Sequence, residues 1–485
     1  MIYQPVDSNY LIKTYGEVFA EVQALIAHLK GLDLGPGSKV GLLSENRYEW
    51  LVAYCAASAS GLVVVPLDPR LSPLEWTTIL NHAEASLLFF SENFSAQALE
   101  LSVTVPSLRR RIGWGPSIVN NDVQDSLSEI VKAGAADTVG PLPNSSGDSI
   151  ASLIYTSGTT GIPKGVLLSQ SNILHNAARM RRRGDRPGKM TLMILPLNHI
   201  YGFIGFLANV LYGQSVILFS KIDVRVILKT LQDLRPQHVA GVPAFYENIG
   251  KTIRKQLAEK LPKSLVPYLK GPAYRALGRE PTSLRSLKKI LFKKVHDTFG
   301  GRIEYLSSGG APLEPRLARL FNLLGLPILE GYGLTETTSV VSANDLGSAH
   351  YRLGSVGKVC ADSEVMVLNP DPSGVGEICV KGPAVMQGYY KNVEDTAAVF
   401  ETEGWFKTGD LGCLDSDGFL FVTGRSKDVI VTPNGKKIFP DEVQSRLGDL
   451  PFVKEFVNSW GAKRSPRRRP PPRKRRWKGL SHRRY

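Results

Sequence analysis

The sequence predicts a layered α/β protein, and two features carry that prediction. Apolar runs of strand length alternate with amphipathic runs of helix length through about Val340. Glycine and proline stand at the joins. The alternation of strands and helices calls for parallel β-structure with helices against the sheet.

The elements follow in order. TYGEVFAEVQALIAHLKGLDLGPG, from Thr14, has apolar residues at helical spacing and closes on a glycine–proline breaker. KVGLLSEN, from Lys39, is a short strand, and YEWLVAYCAASASG a helix ended by Gly61. GLVVVPLDP reads as a buried strand and SPLEWTTILNHAEA as a capped helix. Between Lys189 and Lys221 no residue carries a formal charge, a length that could span a bilayer. Pro196, Asn198, His199, three glycines and Gln214 interrupt it, so it reads instead as strand, loop, helix and strand. After Gly354 the texture changes. GEICVKGPAVMQGYY and GFLFVTGRSKDVIV are β-rich with glycine turns and predict a small β subdomain over about 354–424. No internal repeat is visible.

The totals set bounds. A chain of 485 residues suffices for roughly three domains at ~150 residues each. Four scattered cysteines (Cys55, Cys360, Cys379, Cys413) form no CxxC pair, which argues against a zinc site or disulfide framework and suits a reducing compartment. MIYQPVDSNY lacks the basic-then-apolar pattern of a signal peptide, so a cytoplasmic place is expected, with peripheral membrane contact open. The net charge of +15 is uneven: Lys463–Tyr485 holds twelve Lys and Arg and no acid, leaving 47 basic against 44 acidic residues elsewhere. That proline-rich tail has no apolar period. It reads as a disordered segment (462–485) or an out-of-frame product; a nucleic-acid or anionic-membrane tail is the minor alternative, and no specific nucleic-acid partner is expected.

IYTSGTTGIPKGVLLS, Ile154–Ser169, sets glycines, hydroxyls and a lysine between two apolar runs, a composition suited to phosphate. It is not the GxxxxGK[ST] loop. Counting from Gly158, Pro163 replaces the second glycine, and Gly165 follows Lys164 where a magnesium-binding hydroxyl is needed. The metal ligand must come from elsewhere. LEGYGLTETTS, Leu329–Ser339, follows an apolar strand and offers Glu336, a hard oxygen ligand at a strand end, where α/β sheets bind ligands.

YTSGTTGIPKG, SSGGAPL, EGYGLTET, GWFKTGDLG and GRSKDVIV occur in this order. In that order they resemble the adenylate-forming superfamily, which includes acyl-CoA synthetases, peptide-synthetase adenylation domains and firefly-type luciferases. The resemblance spans about Tyr15 to Phe456. It implies a large N-terminal domain (1–424) of two α/β sheets and a small β-barrel, then a small α+β C-terminal domain, here partial (425–461). It implies ATP, Mg²⁺ and CoA, and attack of a carboxylate on the α-phosphorus to give acyl-AMP and pyrophosphate.

Residue roles carry over by motif. Thr156, Ser157, Gly158, Thr159, Thr160 and Lys164 would hold the β- and γ-phosphates. Gly309, Gly310 and Ala311, with Tyr332, would form the adenine pocket. Thr335 would meet the α-phosphate and Glu336 would bind Mg²⁺. Asp410 would accept the ribose hydroxyls. Arg425 would reach the ribose and phosphates, and Lys427 would mark the interdomain hinge. LPLNHIYGF resembles the acyl-pocket motif, with His199 shaping the acid site and GVPAFYENI forming another wall.

Amino-acid-activating relatives usually carry an aspartate in the acyl motif, and none is present here. SENRYEW and GRSKDVIVTPNGKKIFPDEV look most like long-chain fatty acyl-CoA synthetases. Medium-chain and aryl acids stay open, as does an acyl-AMP ligase that loads a carrier protein. The family's C-terminal domain normally carries a late lysine that contacts the reacting carboxylate. With 58 residues after Lys427 and no PKTxxGK-like segment, no residue takes that role, and a truncated or frameshifted product is expected. A catalytically impaired binder of ATP or acyl-adenylate is the remaining alternative.

Overall fold

The computed structural model describes residues 1–7, 9–118, 125–134, 146–156, 163–180, 185–260, 284–428, 430–431 and 437–438. Ser157, Gly158, Thr159 and Thr160 of the expected phosphate loop, and the basic tail, lie outside the described residues.

The chain divides into two compact units, Met1–Ser426 and Lys427–Tyr485. In the first, strands β1 (Ile2–Val6), β2 (Asn9–Lys13), β3 (Lys39–Leu43), β4 (Val63–Leu67), β5 (Leu87–Ser91), β6 (Arg110–Trp114), β7 (Asp125–Ser126), β8 (Ile150–Thr156) and β9 (Lys164–Ser169) come first. They are followed by β10 (Met190–Met193), β11 (Ser215–Leu218), β12 (His238–Gly241), β13 (Tyr305–Ser308), β14 (Ile328–Tyr332), β15 (Ser342–Ala343) and β16 (Lys358–Val359). The last are β17 (Glu364–Leu368), β18 (Gly376–Lys381), β19 (Gly388–Tyr389), β20 (Phe406–Leu414) and β21 (Leu420–Arg425).

They form an eight-stranded sheet in the order β19-β9-β8-β4-β3-β5-β6-β7 and a nine-stranded sheet in the order β16-β15-β14-β13-β12-β10-β11-β1-β2. A four-stranded antiparallel sheet, β17-β18-β20-β21, supplies the β-rich part. The centres of both large sheets are parallel, as the strand–helix alternation requires. Both edges of the nine-stranded sheet are antiparallel, as is the β19-β9-β8 edge of the eight-stranded one, whereas β7 at its other edge pairs in parallel with β6. In the second unit the described residues form one antiparallel pair, Ile430–Val431 with Lys437–Ile438.

Local chemistry explains the helix boundaries. Helix Tyr15–Lys30 starts on Thr14 and helix Pro73–Ala83 on Ser72. Each has a capping box closed by a glutamate three residues on, Glu17 or Glu75. The uncharged stretch after Lys189 is β10, a loop, the helix Ile200–Leu211 and β11, with the helix between strands that pair in parallel. Among the described residues no helix is long and apolar enough to cross a membrane. The polar N-terminal stretch, which the sequence left without structure, is a hairpin whose first strand adds in parallel to β11.

The core follows from this layering. Valines of β4 and phenylalanines of β5 are fully buried on both faces of the first sheet. Leu192, Ile217, Val239, Leu306 and Ile328 form the corresponding layer of the second. All four cysteines are free thiols.

Candidate active site

β12, β13 and β14 are aligned in parallel register, Gly241 beside Ser308 and Ser308 beside Glu330. Their C-terminal ends therefore open together. From β13 the chain passes into Gly309, Gly310 and Ala311. Gly309 is buried, and a Cβ on it would stand 3.2 Å from the ring of Tyr201 and 3.4 Å from the Gly331 carbonyl. The glycine motif thus lies against the start of the helix Ile200–Leu211 on one side and against β14 on the other.

β14 ends at Tyr332 and enters a tight loop. Gly333 is obligatory there, because a Cβ would sit 1.3 Å from the Ser339 carbonyl oxygen. Thr338 (φ 52°) and Ser339 (φ 93°) both adopt left-handed backbone, a strained arrangement held by its surroundings. Thr337 Oγ1 accepts from the Leu334 amide (2.9 Å), and the Thr338 hydroxyl donates to the Ala384 carbonyl (2.6 Å). Asn176 Nδ2 donates to the Thr337 carbonyl (3.0 Å), and the Met386 amide to that of Glu336 (2.8 Å). These bonds fix Thr335 and Glu336 on a loop that a phosphate compound would meet ready-formed.

Two side-chain groups flank the loop. On one side the Tyr332 hydroxyl donates to Asp410 Oδ2 (2.7 Å), while Arg425 Nε lies 3.0 Å from Asp410 Oδ1. Asp410 and Arg425 are register partners on β20 and β21, so the antiparallel sheet delivers the pair to the end of β14. Asp410 is buried and Arg425 exposed. Burial first, and then the Asp410 charge, push the Tyr332 phenol well above its ordinary range, so it remains a donor.

On the other side the Tyr389 hydroxyl donates to Glu336 Oε1 (3.0 Å). Lys164 Nζ lies 5.1 Å from the Tyr389 ring centre and 2.7 Å from Asp395 Oδ2. Burial and the Glu336 carboxylate raise the Tyr389 phenol. Thr156 and Lys164 face each other at the ends of β8 and β9, so the glycine-rich stretch joins two antiparallel strands. This differs from a strand–loop–helix phosphate loop, in agreement with the failed spacing.

His199 stands apart from both groups. It precedes the helix Ile200–Leu211, and its side chain is 57% exposed. Its Nε2 lies 3.5 Å from Arg70 and 3.9 Å from Asp68. The loop before it is held by Asn46, which donates to the Leu195 carbonyl and accepts from the Leu197 amide, both at 2.8 Å. Arg47 stands among Glu49 (2.9 Å), Glu92 (3.3 Å) and Glu45 (3.6 Å). SENRYEW is therefore a brace between the first sheet and the acyl motif.

The sequence missed Tyr389, Asp395, Asn46 and Asn176. Tyr389 had a signal in GYY, which read only as part of a strand. Asn46 and Asn176 act through contacts 149 and 161 residues away, which no local pattern shows.

Among the described residues no three His, Cys, Asp or Glu side chains are grouped to hold a metal. Glu336 offers a carboxylate oxygen of the hard type that Mg²⁺ prefers. This fits a cation that takes one or two carboxylates and otherwise phosphate oxygens and water.

Two layered α/β sheets and a small antiparallel sheet, with polar groups gathered at the strand ends, define the fold of an adenylate-forming ligase. Residues 4–390 match the AMP-binding enzyme family, and the chain belongs to it. It is 32% identical over 478 residues to the long-chain-fatty-acid–CoA ligase FadD15 of Mycobacterium bovis, covering 94% of this chain and 77% of that protein. Among solved structures it is similar to ATP-bound MatB from Rhodopseudomonas palustris: 25% identity, TM-score 0.72, 93% of this chain and 80% of that one. MenE from Bacillus subtilis with its acyl-adenylate intermediate is similar at 26% identity and TM-score 0.71, covering 94% and 81%. The class is that of acid–thiol ligases using ATP and CoA.

Proposed function

We propose that this chain activates a medium- to long-chain fatty acid as its acyl-adenylate and passes the acyl group to CoA. The observation that carries the reading is the pair of groups flanking one rigid loop. Tyr332–Asp410–Arg425 suits a nucleoside, and Glu336–Tyr389–Lys164 suits a polyphosphate.

The buried Asp410 carboxylate accepts both ribose hydroxyls, and Arg425 neutralises it from outside. The Gly309–Ala311 stretch, closed by Tyr332, receives the adenine. Thr335 donates to the α-phosphate. Lys164, with the hydroxyls and amides from Thr156 to Thr160, takes the charge of the leaving pyrophosphate as the acid's oxygen bonds to the α-phosphorus. Preorganised donors of this kind act most strongly on charge that develops in the transition state. Glu336, oriented by Tyr389, is the residue that would hold Mg²⁺, which when bound supplies charge neutralisation of the phosphates. In the second half the CoA sulfur bonds to the acyl carbon and AMP leaves. Lys427, the first residue of the second unit, serves as the hinge between the halves of the reaction. His199 and the braced loop Leu195–Leu197 shape the mouth of the acid pocket. The uncharged acyl motif and the likeness to FadD15 support a fatty acid over an amino acid.

Acid-dependent ATP–pyrophosphate exchange, with calorimetric titration of ATP, tests this. Fatty acids are expected to support exchange better than acetate or any amino acid, and Asp410→Ala is expected to weaken ATP binding at least about 10-fold, the loss of a charge-assisted contact. Undiminished ATP binding in Asp410→Ala, or exchange driven best by an amino acid, would remove the reading.

A further inference from the structure

Behind Tyr201 lies a narrow cavity of ≈ 40 Å³ between the helix Ile200–Leu211 and strands β10, β12 and β13. Tyr201, Gly205, Asn209 and Tyr212 line it at helical spacing, so the cavity follows that helix over about eleven residues, roughly 16 Å. The strands give it a direction. Leu195 and Tyr201 stand at the end next to Gly309, whereas His238 and Tyr305 open β12 and β13 at the far end. The near end is apolar, with Met193, Leu195 and Ala240. The far end is polar.

Most of the far polar groups serve one another. His238 bonds Ser307 (2.9 Å) and Thr191 (3.3 Å), Thr191 donates to Asn209 (2.5 Å), and the Tyr305 hydroxyl donates to Asp185 (2.8 Å). Gln214 differs. It is 4% exposed and lines the cavity, and its side-chain Nε2 has no hydrogen-bond partner. Its backbone is fully used, since its amide donates to the Asn209 carbonyl and its carbonyl accepts from the Tyr15 hydroxyl. A buried amide donor left unpaired is unfavourable, and a partner in the cavity removes that penalty.

We propose that this cavity is the distal part of the acid pocket and that Gln214 selects acids carrying a neutral oxygen, a hydroxyl or keto group, at the far end of the chain. The assignment rests on the acyl-adenylate reading above. The uncharged Gln214 amide can donate to an oxygen but supplies no positive charge to offset the burial of a second carboxylate. The apolar stretch takes the methylenes, with flexible Met193 moving aside, and the terminal oxygen accepts from Gln214 Nε2. A site that binds a substrate oxygen this way rejects the analogue lacking it, because the amide is then unpaired again.

The probes are two non-reactive adenylate mimics, dodecanoyl-sulfamoyl-adenosine and its ω-hydroxydodecanoyl counterpart, titrated calorimetrically against the full chain. The hydroxylated mimic is expected to bind roughly 10-fold tighter, a modest share of the discrimination such sites reach. Gln214→Leu is expected to abolish or reverse that ratio, and Gln214→Met, nearer in shape, to do the same if the leucine variant does not fold. Equal binding of both mimics to the wild-type chain, as when water alone fills the chamber, overturns the selectivity and leaves the acyl-adenylate reading standing. So does a ratio that both variants preserve. Binding of neither mimic overturns both.

Discussion

Glu330 lies on β14, two residues before Tyr332, and is buried. Its carboxyl is pushed up to about 8 by burial, against a smaller opposing effect from the Leu313 amide that donates to it. The rise from an ordinary value near 4.5 to about 8 corresponds, at about 1.4 kcal/mol per tenfold change in proton affinity, to a ceiling of roughly 5 kcal/mol. The sign follows from proton binding. Below about pH 4.5 the carboxyl is protonated both folded and unfolded, and its contribution is fully present. Between about 4.5 and 8 the unfolded chain releases this proton and the folded chain keeps it, so stability falls as pH rises; above 8 the loss is complete. Glu330→Gln keeps an acceptor for the Leu313 amide and removes the ionisation. The expected result is a variant that loses about 3–5 kcal/mol less stability than the wild type between pH 5 and pH 9. Urea unfolding followed by tryptophan fluorescence at several pH values measures this, with midpoints compared at matched slopes. Parallel pH profiles for the two proteins would refute the argument, because they would mean that the carboxyl ionises in the fold as freely as outside it.

Three further outcomes are expected. Tyr389→Phe removes the hydroxyl that orients Glu336 and is expected to raise the KM for Mg-ATP about 5- to 30-fold, in line with about 1–2 kcal/mol for a bond to a carboxylate, with little change in thermal stability; an unchanged KM at limiting Mg²⁺ would dismiss the orienting role. Gly333→Ala drives a methyl group into the Ser339 carbonyl and is expected to lower stability by about 2–4 kcal/mol and to weaken ATP binding, read by thermal unfolding with and without ATP. Arg47→Met leaves Glu45, Glu49 and Glu92 without their shared cation and is expected to destabilise by about 3–5 kcal/mol, checked by denaturant unfolding; a loss under 1 kcal/mol would count against the brace.

The parallel sheets were readable because each strand–helix unit writes its own period and its own stop signals. The capping boxes at Thr14 and Ser72 are local, and so is the interruption of the uncharged segment by Pro196 and Gly213. The N-terminal hairpin was not readable. Its strands mix Tyr, Gln, Pro and Asn and owe their place to pairing with β11, more than two hundred residues away. Among the candidate site residues, the motif resemblance pointed to Tyr332, Asp410, Arg425, Lys164 and Glu336, and the fold brings them into two groups. It could not show that Tyr389 links Lys164 to Glu336, because that link needs β19 laid against β9. Nor could it show that His199 sits with Arg70 and Asp68, since Asp68 follows a strand of the other sheet.

Asn46 has a consequence for how the protein comes into being. Its amide supplies both a donor and an acceptor to the loop at Leu195–Leu197, as a neighbouring strand would, yet it leaves the ribosome about 150 residues earlier. The first sheet can close over β3 to β6 from contacts local to its own hundred residues, and such short-range pairing is fast. The acyl motif then emerges beside a template already in place and takes its shape by docking onto it. The loop Leu195–Leu197 thus gains its form only once β3 and the strands beside it are in place. A nascent chain halted before the second sheet would hold a folded half that binds neither acid nor nucleotide.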